Sequence, residues 1–360
     1  MLYHLLYPLH TTFSGFNVFK YITFRSAGAA LTALLISFLL GPSMIAWLRK
    51  IKAGQHIRND GPQTHLSKQG TPTMGGILII AALAVSILLW ADLTNKYMWV
   101  VLLSTLAFGG IGLWDDYLKV VKKRSTGLLA REKFSLQILA ALAIGIFLYY
   151  FAKDPNAAHL SVPFIKKVVI DLGWFYIPFA VIVMVGSSNA VNLTDGLDGL
   201  AAGLVGIASI ANAVIVYISG NRLIAEYLKI PYIAGSGELT VFCGALLGTC
   251  LGFLWYNAHP ADVFMGDTGS LALGGALGAL ALVTKHELIL IIVGGIFVVE
   301  TLSVIMQVAS YKMTGKRIFR MAPIHHHFEQ LGWPETKVIA RFWIIGIILA
   351  LISLGSLKLR

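Results

Sequence analysis

The feature that most constrains this chain is a succession of ten apolar stretches, each near the ~20 residues a helix needs to cross a bilayer. Their approximate limits are 24–47, 74–93, 97–116, 133–152, 169–188, 199–219, 238–257, 267–284, 288–308 and 338–358. They are rich in Gly, Ala and Leu, which predicts helices rather than barrel strands. Only 12% of the 360 residues are charged, against roughly 25% in a soluble domain. A water-soluble fold is therefore excluded. The expected fold class is an all-α integral membrane protein of about ten transmembrane helices, forming a single polytopic domain over residues 1–360. Residues 1–20 mix polar and aromatic side chains, so no cleavable leader is expected.

Orientation follows from Lys and Arg. Loops 48–73, 117–132, 189–198, 258–266 and 309–337, with the helix ends beside them, hold 17 of the 28. The opposite side holds 11. The richer side is expected to be cytoplasmic and both termini periplasmic. The net charge of +11 reflects that topology and also suits anionic headgroups or phosphorylated substrates. Cys243 and Cys250 are seven residues apart, about 10.5 Å of helical rise. A disulfide needs Cα atoms within about 7 Å, so both are expected to be free.

The 17 acidic residues decide more than the basic ones. Five that fall on the cytoplasmic face, Asp115, Asp116, Asp195, Asp198 and Asp267, sit at helix ends, where a carboxylate is costly and suggests function. Adjacent Asp115 and Asp116 repel each other at a hydrocarbon edge and need a divalent cation, a basic partner or a proton. Successive helical residues point about 100° apart, so the two are not expected to face one ion identically. A basic stretch from Lys119 to Lys133 follows. The run from Asn189 to Gly199 packs Asn192, Asp195 and Asp198 between two spans with almost no slack, and its glycines let backbone approach a ligand. Phe264 to Ser270 opens the eighth span, where a helix N-terminus favours anions. Asp267 there is either a cap or a metal ligand placed where phosphate docks. Asn257 and His259 lie just upstream. The segment Gly70–Gly76, with Lys68 and Thr73, is a weak phosphate cradle without a Walker pattern.

Three consecutive histidines, His325, His326 and His327, occupy the last cytoplasmic loop. Adjacent His side chains seldom converge on one metal, so phosphate contact or proton transfer suits them better. Glu300 is the one carboxylate inside a span. It shares a helical face with Ser303 and Gln307, and is expected to tie helices together or line a lipid groove, too deep for phosphates. The whole inventory of Asp, Asn, Lys, Arg and His suits Mg²⁺, which typically also binds substrate phosphates. Cations at the rim suit phosphoryl or phosphosugar transfer. A secondary transporter would place its carboxylates near the midplane, where Glu300 alone qualifies.

The motifs Asp115-Asp116-Tyr117, Asn192 to Gly199, Phe264 to Ser270 and the histidine run together resemble the polyprenyl-phosphate N-acetylhexosamine-1-phosphate transferase superfamily. Gly70 to Gly76 and Ala322 to Glu329 resemble the branch that handles phospho-N-acetylmuramoyl-pentapeptide, and the likeness spans residues ~45–345 in five ordered motifs. The resemblance implies a ten-helix, usually dimeric enzyme of the bacterial inner membrane with a cytoplasmic cleft. It implies transfer of phospho-MurNAc-pentapeptide from UDP-MurNAc-pentapeptide to undecaprenyl phosphate, with UMP leaving and the first lipid intermediate of peptidoglycan forming. No nucleic-acid partner is implied. A sibling transferase acting on UDP-N-acetylglucosamine is the alternative, followed by a transporter. On this reading Asp267 holds Mg²⁺, and Asp115, Asp116, His325 and His326 join it in catalysis. Asp115 handles the acceptor phosphate's proton or assists its attack. Lys68, Thr73, Lys133, Asn192, Asp195, Asp198, Asn257, Phe264 and His327 bind substrate, with Phe264 stacking on uracil.

Overall fold

The computed structural model describes every residue except 52, 54–67, 69, 125, 153, 166–168, 359 and 360. Lys52, Arg58, Asp60, Lys153, Lys166, Lys167 and Arg360, which entered the charge reading, lie outside the described residues.

The chain opens with one helical turn, α1 (Leu2–Leu6), and two 3₁₀ stretches. Long helices follow: α2 (Ile22–Lys50), α3 (Gly76–Trp90), α4 (Lys96–Val120) and α5 (Ala130–Ile146). An antiparallel hairpin of β1 (His159–Ser161) and β2 (Val169–Asp171) precedes α6 (Tyr176–Thr194). Then come α7 (Leu200–Ser219), a short α8 (Arg222–Leu228), α9 (Leu239–Asn257) and α10 (Gly266–Thr284). The chain ends with α11 (Glu287–Val293), α12 (Gly295–Thr314), a short α13 (Ile324–Gln330) and α14 (Glu335–Ser356). Among the described residues nine helical spans are long and apolar enough to cross a membrane, and α3 is a shorter apolar helix. This is an all-α integral membrane protein.

Three boundaries differ from the sequence reading, each for a physical reason. The fifth span was expected at 169–188, but Val169–Asp171 is a strand and the helix runs on to Thr194. Its polar end stays helical because neighbouring helices receive it: Asn189 donates to Gln137 Oε1 (2.7 Å) and Ser187 to the Gly274 carbonyl (2.8 Å). The ninth span breaks at Gly294 into α11 and α12. The Asp115–Asp116 pair does not end its span, since α4 continues one turn to Val120.

Lipid is as apolar as leucine, so close packing rather than exclusion of water holds such spans together. The centre of the packing is α10, on which every residue from Thr268 to Thr284 is buried. Small residues make this possible. A Cβ at Gly274 would lie 2.5 Å from the Ser187 carbonyl of α6, and one at Gly275 would lie 2.9 Å from the Phe108 ring of α4. A second seam repeats every fourth residue of α9. Cβ atoms at Gly244, Gly248 and Gly252 would strike Ser26, Ala30 and Ser37 of α2. The glycine run in α10 therefore packs helices.

Candidate active site

Two glycines bring the functional side chains together. A Cβ on Gly112 of α4 would sit 2.1 Å from the Asp267 carbonyl, and one on Gly76 of α3 would sit 2.1 Å from the Gly269 nitrogen. The first turn of α10 is thus clamped against α3 and the last turns of α4. Asp115 and Asp116, three and four residues beyond Gly112, come alongside Asp267.

Asp116 is 3% exposed and caps α10 from another helix. Its carboxylate accepts from the backbone N–H of Asp267 (3.2 Å) and Thr268 (2.9 Å) and from the Thr268 hydroxyl (2.6 Å). These are the free N–H groups of a helix start, which attract negative charge. Gly266 has φ +72°, and a side chain there would press on Asp116 Oδ2 and on Thr73 Oγ1. Thr73 therefore stands at this cap.

Asp115 faces the other way. Its Oδ1 accepts from the Leu128 N–H (2.7 Å) and its Oδ2 lies 2.5 Å from Lys119 Nζ. Asp267 is held by three side chains: Lys119 (2.9 Å) and Lys133 (2.8 Å) on Oδ2, and the Asn192 amide (2.8 Å) on Oδ1. Asn192 also donates to Ser270 (2.8 Å). One ligand oxygen from each of Asp115, Asp116 and Asp267 falls within 4.8 Å of the others. The two adjacent carboxylates meet α10 differently: Asp116 binds its first N–H groups, and Asp115 shares Lys119 with Asp267. All-oxygen donors of this kind fit a hard cation such as Mg²⁺. Asp195, half-buried beside them, has its carboxyl pushed up to about 8 by burial and then by Asp267, Asp116 and Asp198. It is mostly protonated at pH 7, the mark of a locality with excess negative charge.

A second cluster lies around Asp198. Lys68 Nζ bridges Asp198 (2.8 Å) and Glu335 (2.7 Å), and His259 approaches both at 3.1 and 3.5 Å. Glu335 also accepts from the Asp198 N–H (2.8 Å). The network joins the 196–199 turn, the 259–261 turn and the start of α14. Asn257 braces the same corner, accepting from the Gly199 N–H (3.0 Å) and donating to the Val263 carbonyl (2.9 Å). Phe264 is half-buried, and its backbone pairs with Pro72 and Gly75.

The three histidines divide. His325 is fully buried, 3.1 Å from Glu300, which is also fully buried. The far side of its ring lies against Gly196, where a Cβ would meet Nε2 at 2.3 Å. Glu300, expected to be remote from the phosphates, reaches the site through this ring. His326 pairs with Glu329 (2.7 Å) and His327 accepts from the Arg320 N–H (3.1 Å). Asp115, Asp116, Lys133, Asn192 and Asp267 meet directly, with Thr73 at the cap. Lys68, Asp198 and Asn257 form the neighbouring corner, and His325 approaches it through Gly196. Sequence reasoning passed over Lys119 as an active-site residue, though its i,i+4 spacing from Asp115 signals the pairing. Thr268 and Ser270 lie inside the Phe264–Ser270 motif but were given no role of their own, and nothing local in the sequence signals Glu335.

Residues 98–285 match the model for glycosyl transferase family 4, and residues 68–80 match the phospho-N-acetylmuramoyl-pentapeptide-transferase signature 1. A curated phospho-N-acetylmuramoyl-pentapeptide-transferase of Thermodesulfovibrio yellowstonii is 63% identical over the full length of both chains. Proteins of the same name from Desulfotalea psychrophila and Syntrophus aciditrophicus are each 59% identical, again over the full length of both.

Proposed function

Because this chain belongs to the phospho-N-acetylmuramoyl-pentapeptide-transferase family, we propose that Asp115, Asp267, Lys119 and Lys133 form its phosphoryl-transfer centre. The protein transfers phospho-MurNAc-pentapeptide from UDP-MurNAc-pentapeptide to undecaprenyl phosphate. UMP leaves and the first lipid intermediate of peptidoglycan forms. The observation that carries the assignment of the centre is the meeting of three carboxylates with two lysines at the N-terminus of α10.

Asp267, with Asp115 or Asp116, would hold a divalent cation such as Mg²⁺, which would supply neutralising charge for the donor's pyrophosphate. The residues do the rest. Lys119 and Lys133 are placed to exchange a carboxylate for a phosphate oxygen, stabilising charge as it shifts to the leaving UMP. Asp115 orients the acceptor phosphate; with a second phosphate pKa near 6, little base strength is required of it at pH 7. Asp116 fixes the helix that carries Asp267. Asp198, Asn257, Lys68 and Phe264 bound the nucleoside side, and His325 and His326 stand on the sugar side of Gly196. An apolar cavity of about 290 Å³ runs from Ala190 and Val191, just before Asn192, past Ile182 to Ile291 and Phe297. Its position suits the first isoprene units of the acceptor. We further place the enzyme in the bacterial inner membrane as a homodimer with its cleft toward the cytoplasm, on the strength of the Lys and Arg distribution and the family.

UMP release from purified protein, undecaprenyl phosphate, Mg²⁺ and UDP-MurNAc-pentapeptide tests the reading. UDP-N-acetylglucosamine as donor separates the sibling activity. Asp267→Asn is expected to lose turnover by about three orders of magnitude while melting like the parent, in the range of lost electrostatic stabilisation at a phosphoryl centre. Near-normal UMP release from that variant defeats the assignment. Chelation with EDTA is expected to stop turnover, and added Mg²⁺ to restore it.

A further inference from the structure

A cavity of about 630 Å³ opens behind the histidine helix α13. It is walled by Gln307, Tyr311 and Lys312 from the end of α12 and by Arg317, Arg320 and Met321 from the segment that follows. We propose that this cavity receives the peptide arm of the donor, with Lys312, Arg317 and Arg320 holding its terminal carboxylate. The inference rests on the transferase reading above and adds a subsite to it.

Charge is the first argument. Residues 309–334 carry Lys312, Lys316, Arg317 and Arg320 against a single carboxylate, Glu329, which His326 engages. Among the described residues no carboxylate pairs with Lys312, Arg317 or Arg320. Arg320 gives one N–H to the Gln330 carbonyl (2.6 Å) and presents the rest of its guanidinium. Three like charges around one concavity repel unless an anion joins them, and a guanidinium matches a carboxylate in a two-point fork.

The wall is also built rather than loose. Gln307 accepts from the Ile318 and Phe319 N–H groups (3.0 and 2.9 Å) and donates to the Phe319 carbonyl (3.0 Å). The Arg320 N–H is fixed by His327, and the Lys316 carbonyl by Ser310. One polar side chain in the last turns of α12 thus sets the path of the cationic segment.

Reach completes the argument. The helix α13 stands between the cavity and the Asp195–Gly196 turn. His325 packs on Gly196 from one side, while His327 touches Arg320 on the other. A helix with its side chains is about 10–12 Å across. An extended pentapeptide spans about 17 Å. A peptide acylated at its amino end by the muramoyl group leaves its carboxyl terminus free, so a sugar beside Gly196 lets that terminus arrive among these cations.

The test uses the full-length protein in nanodiscs with two donors, the natural pentapeptide acid and the same donor with a C-terminal carboxamide. Lys312→Glu/Arg317→Glu and Lys312→Gln/Arg317→Gln are compared with the parent. KM for the acid donor is expected to rise about tenfold in both, roughly what two part-exposed ion pairs supply together. KM for the amide donor and kcat for both stay within about twofold. An unchanged KM, or an equal rise for both donors, overturns the proposal. So does a defect that tracks the phosphatidylglycerol content of the nanodisc and ignores the donor's terminus, which would make the cavity a headgroup site. Failure of the parent to release UMP from either donor defeats the transferase reading and this inference with it.

Discussion

Replacing Asp116 with alanine is expected to damage the fold as well as the chemistry. The carboxylate accepts three hydrogen bonds, from two backbone N–H groups and one hydroxyl at the start of α10, and both Asp116 and Thr268 are buried. A lost cap on an exposed helix costs about 1 kcal/mol. Here water cannot take over, and each stranded donor costs about 1–3 kcal/mol. The Thr268 hydroxyl can rotate toward another acceptor, so the two N–H groups sum to about 2–6 kcal/mol. At about 2 °C per kcal/mol, the lower end for large chains, the melting temperature drops by about 4–12 °C. Asp116→Asn keeps one acceptor oxygen and is expected to lose about half as much. The assay is thermal unfolding in detergent, followed by fluorescence of the eight tryptophans. A Thr268→Val partner completes a double-mutant cycle, in which the two losses should fall short of adding. Asp116→Ala melting within about 2 °C of the parent while losing activity would show a purely chemical role and refute the cap.

Glu300→Gln keeps the shape of the side chain but removes the charge beside the buried His325 ring. It is expected to lower kcat about tenfold with KM nearly unchanged, the order seen when a proton-handling or orienting group loses its partner; an unaltered kcat in the UMP assay would show that His325 needs no such support. Asp195 gives a pH prediction. Its carboxyl titrates near 8 in the fold and near 4 when unfolded, so between those values the native state holds the extra proton. Stability conferred by the neutral form is therefore complete at low pH and declines as pH rises toward 8, by at most about 1.4 kcal/mol per unit. Melting curves between pH 5.5 and 8 should fall more steeply for the parent than for Asp195→Asn, and parallel curves would contradict the shift.

Much of this was legible because the chemistry of a bilayer leaves few options. Apolar lengths give the helices, and carboxylates at their ends are too costly to be incidental, so Asp115, Asp116 and Asp267 stood out before any contact was known. Their division of labour did not. It depends on Gly112, which in sequence is one more small residue in a hydrophobic run and in space is the point where α4 admits the N-terminus of α10. The same is true of Glu300. It was expected to tie helices together or line a groove, and only the return of the chain through α13 identifies His325 as its partner. The end of helix 176–194 was misplaced because Asn189 and Asn192 look like a loop when their partners, Gln137 and Asp267, lie 52 and 75 residues away.

The balance of charge then assigns the carboxylates. Asp116 has both oxygens on the donors of α10, so it is poorly placed to act as a free base. Asp115 and Asp267 share Lys119, and Lys133 sits on Asp267. Counted as ionised, three carboxylates and two lysines leave one negative charge, which is the wrong sign for a substrate pair bearing a pyrophosphate and a phosphate. On the proposed mechanism, a divalent cation bound among the carboxylates would reverse that sign and free the two ammonium groups to turn toward phosphate oxygens. On that mechanism the lysines would hold the places of the substrates, and Asp115 and Asp267 would release them. That exchange would leave Asp116 fixed on two main-chain donors and a buried hydroxyl, while Asp115 keeps the Leu128 N–H and Asp267 keeps the Asn192 amide as their lysines move.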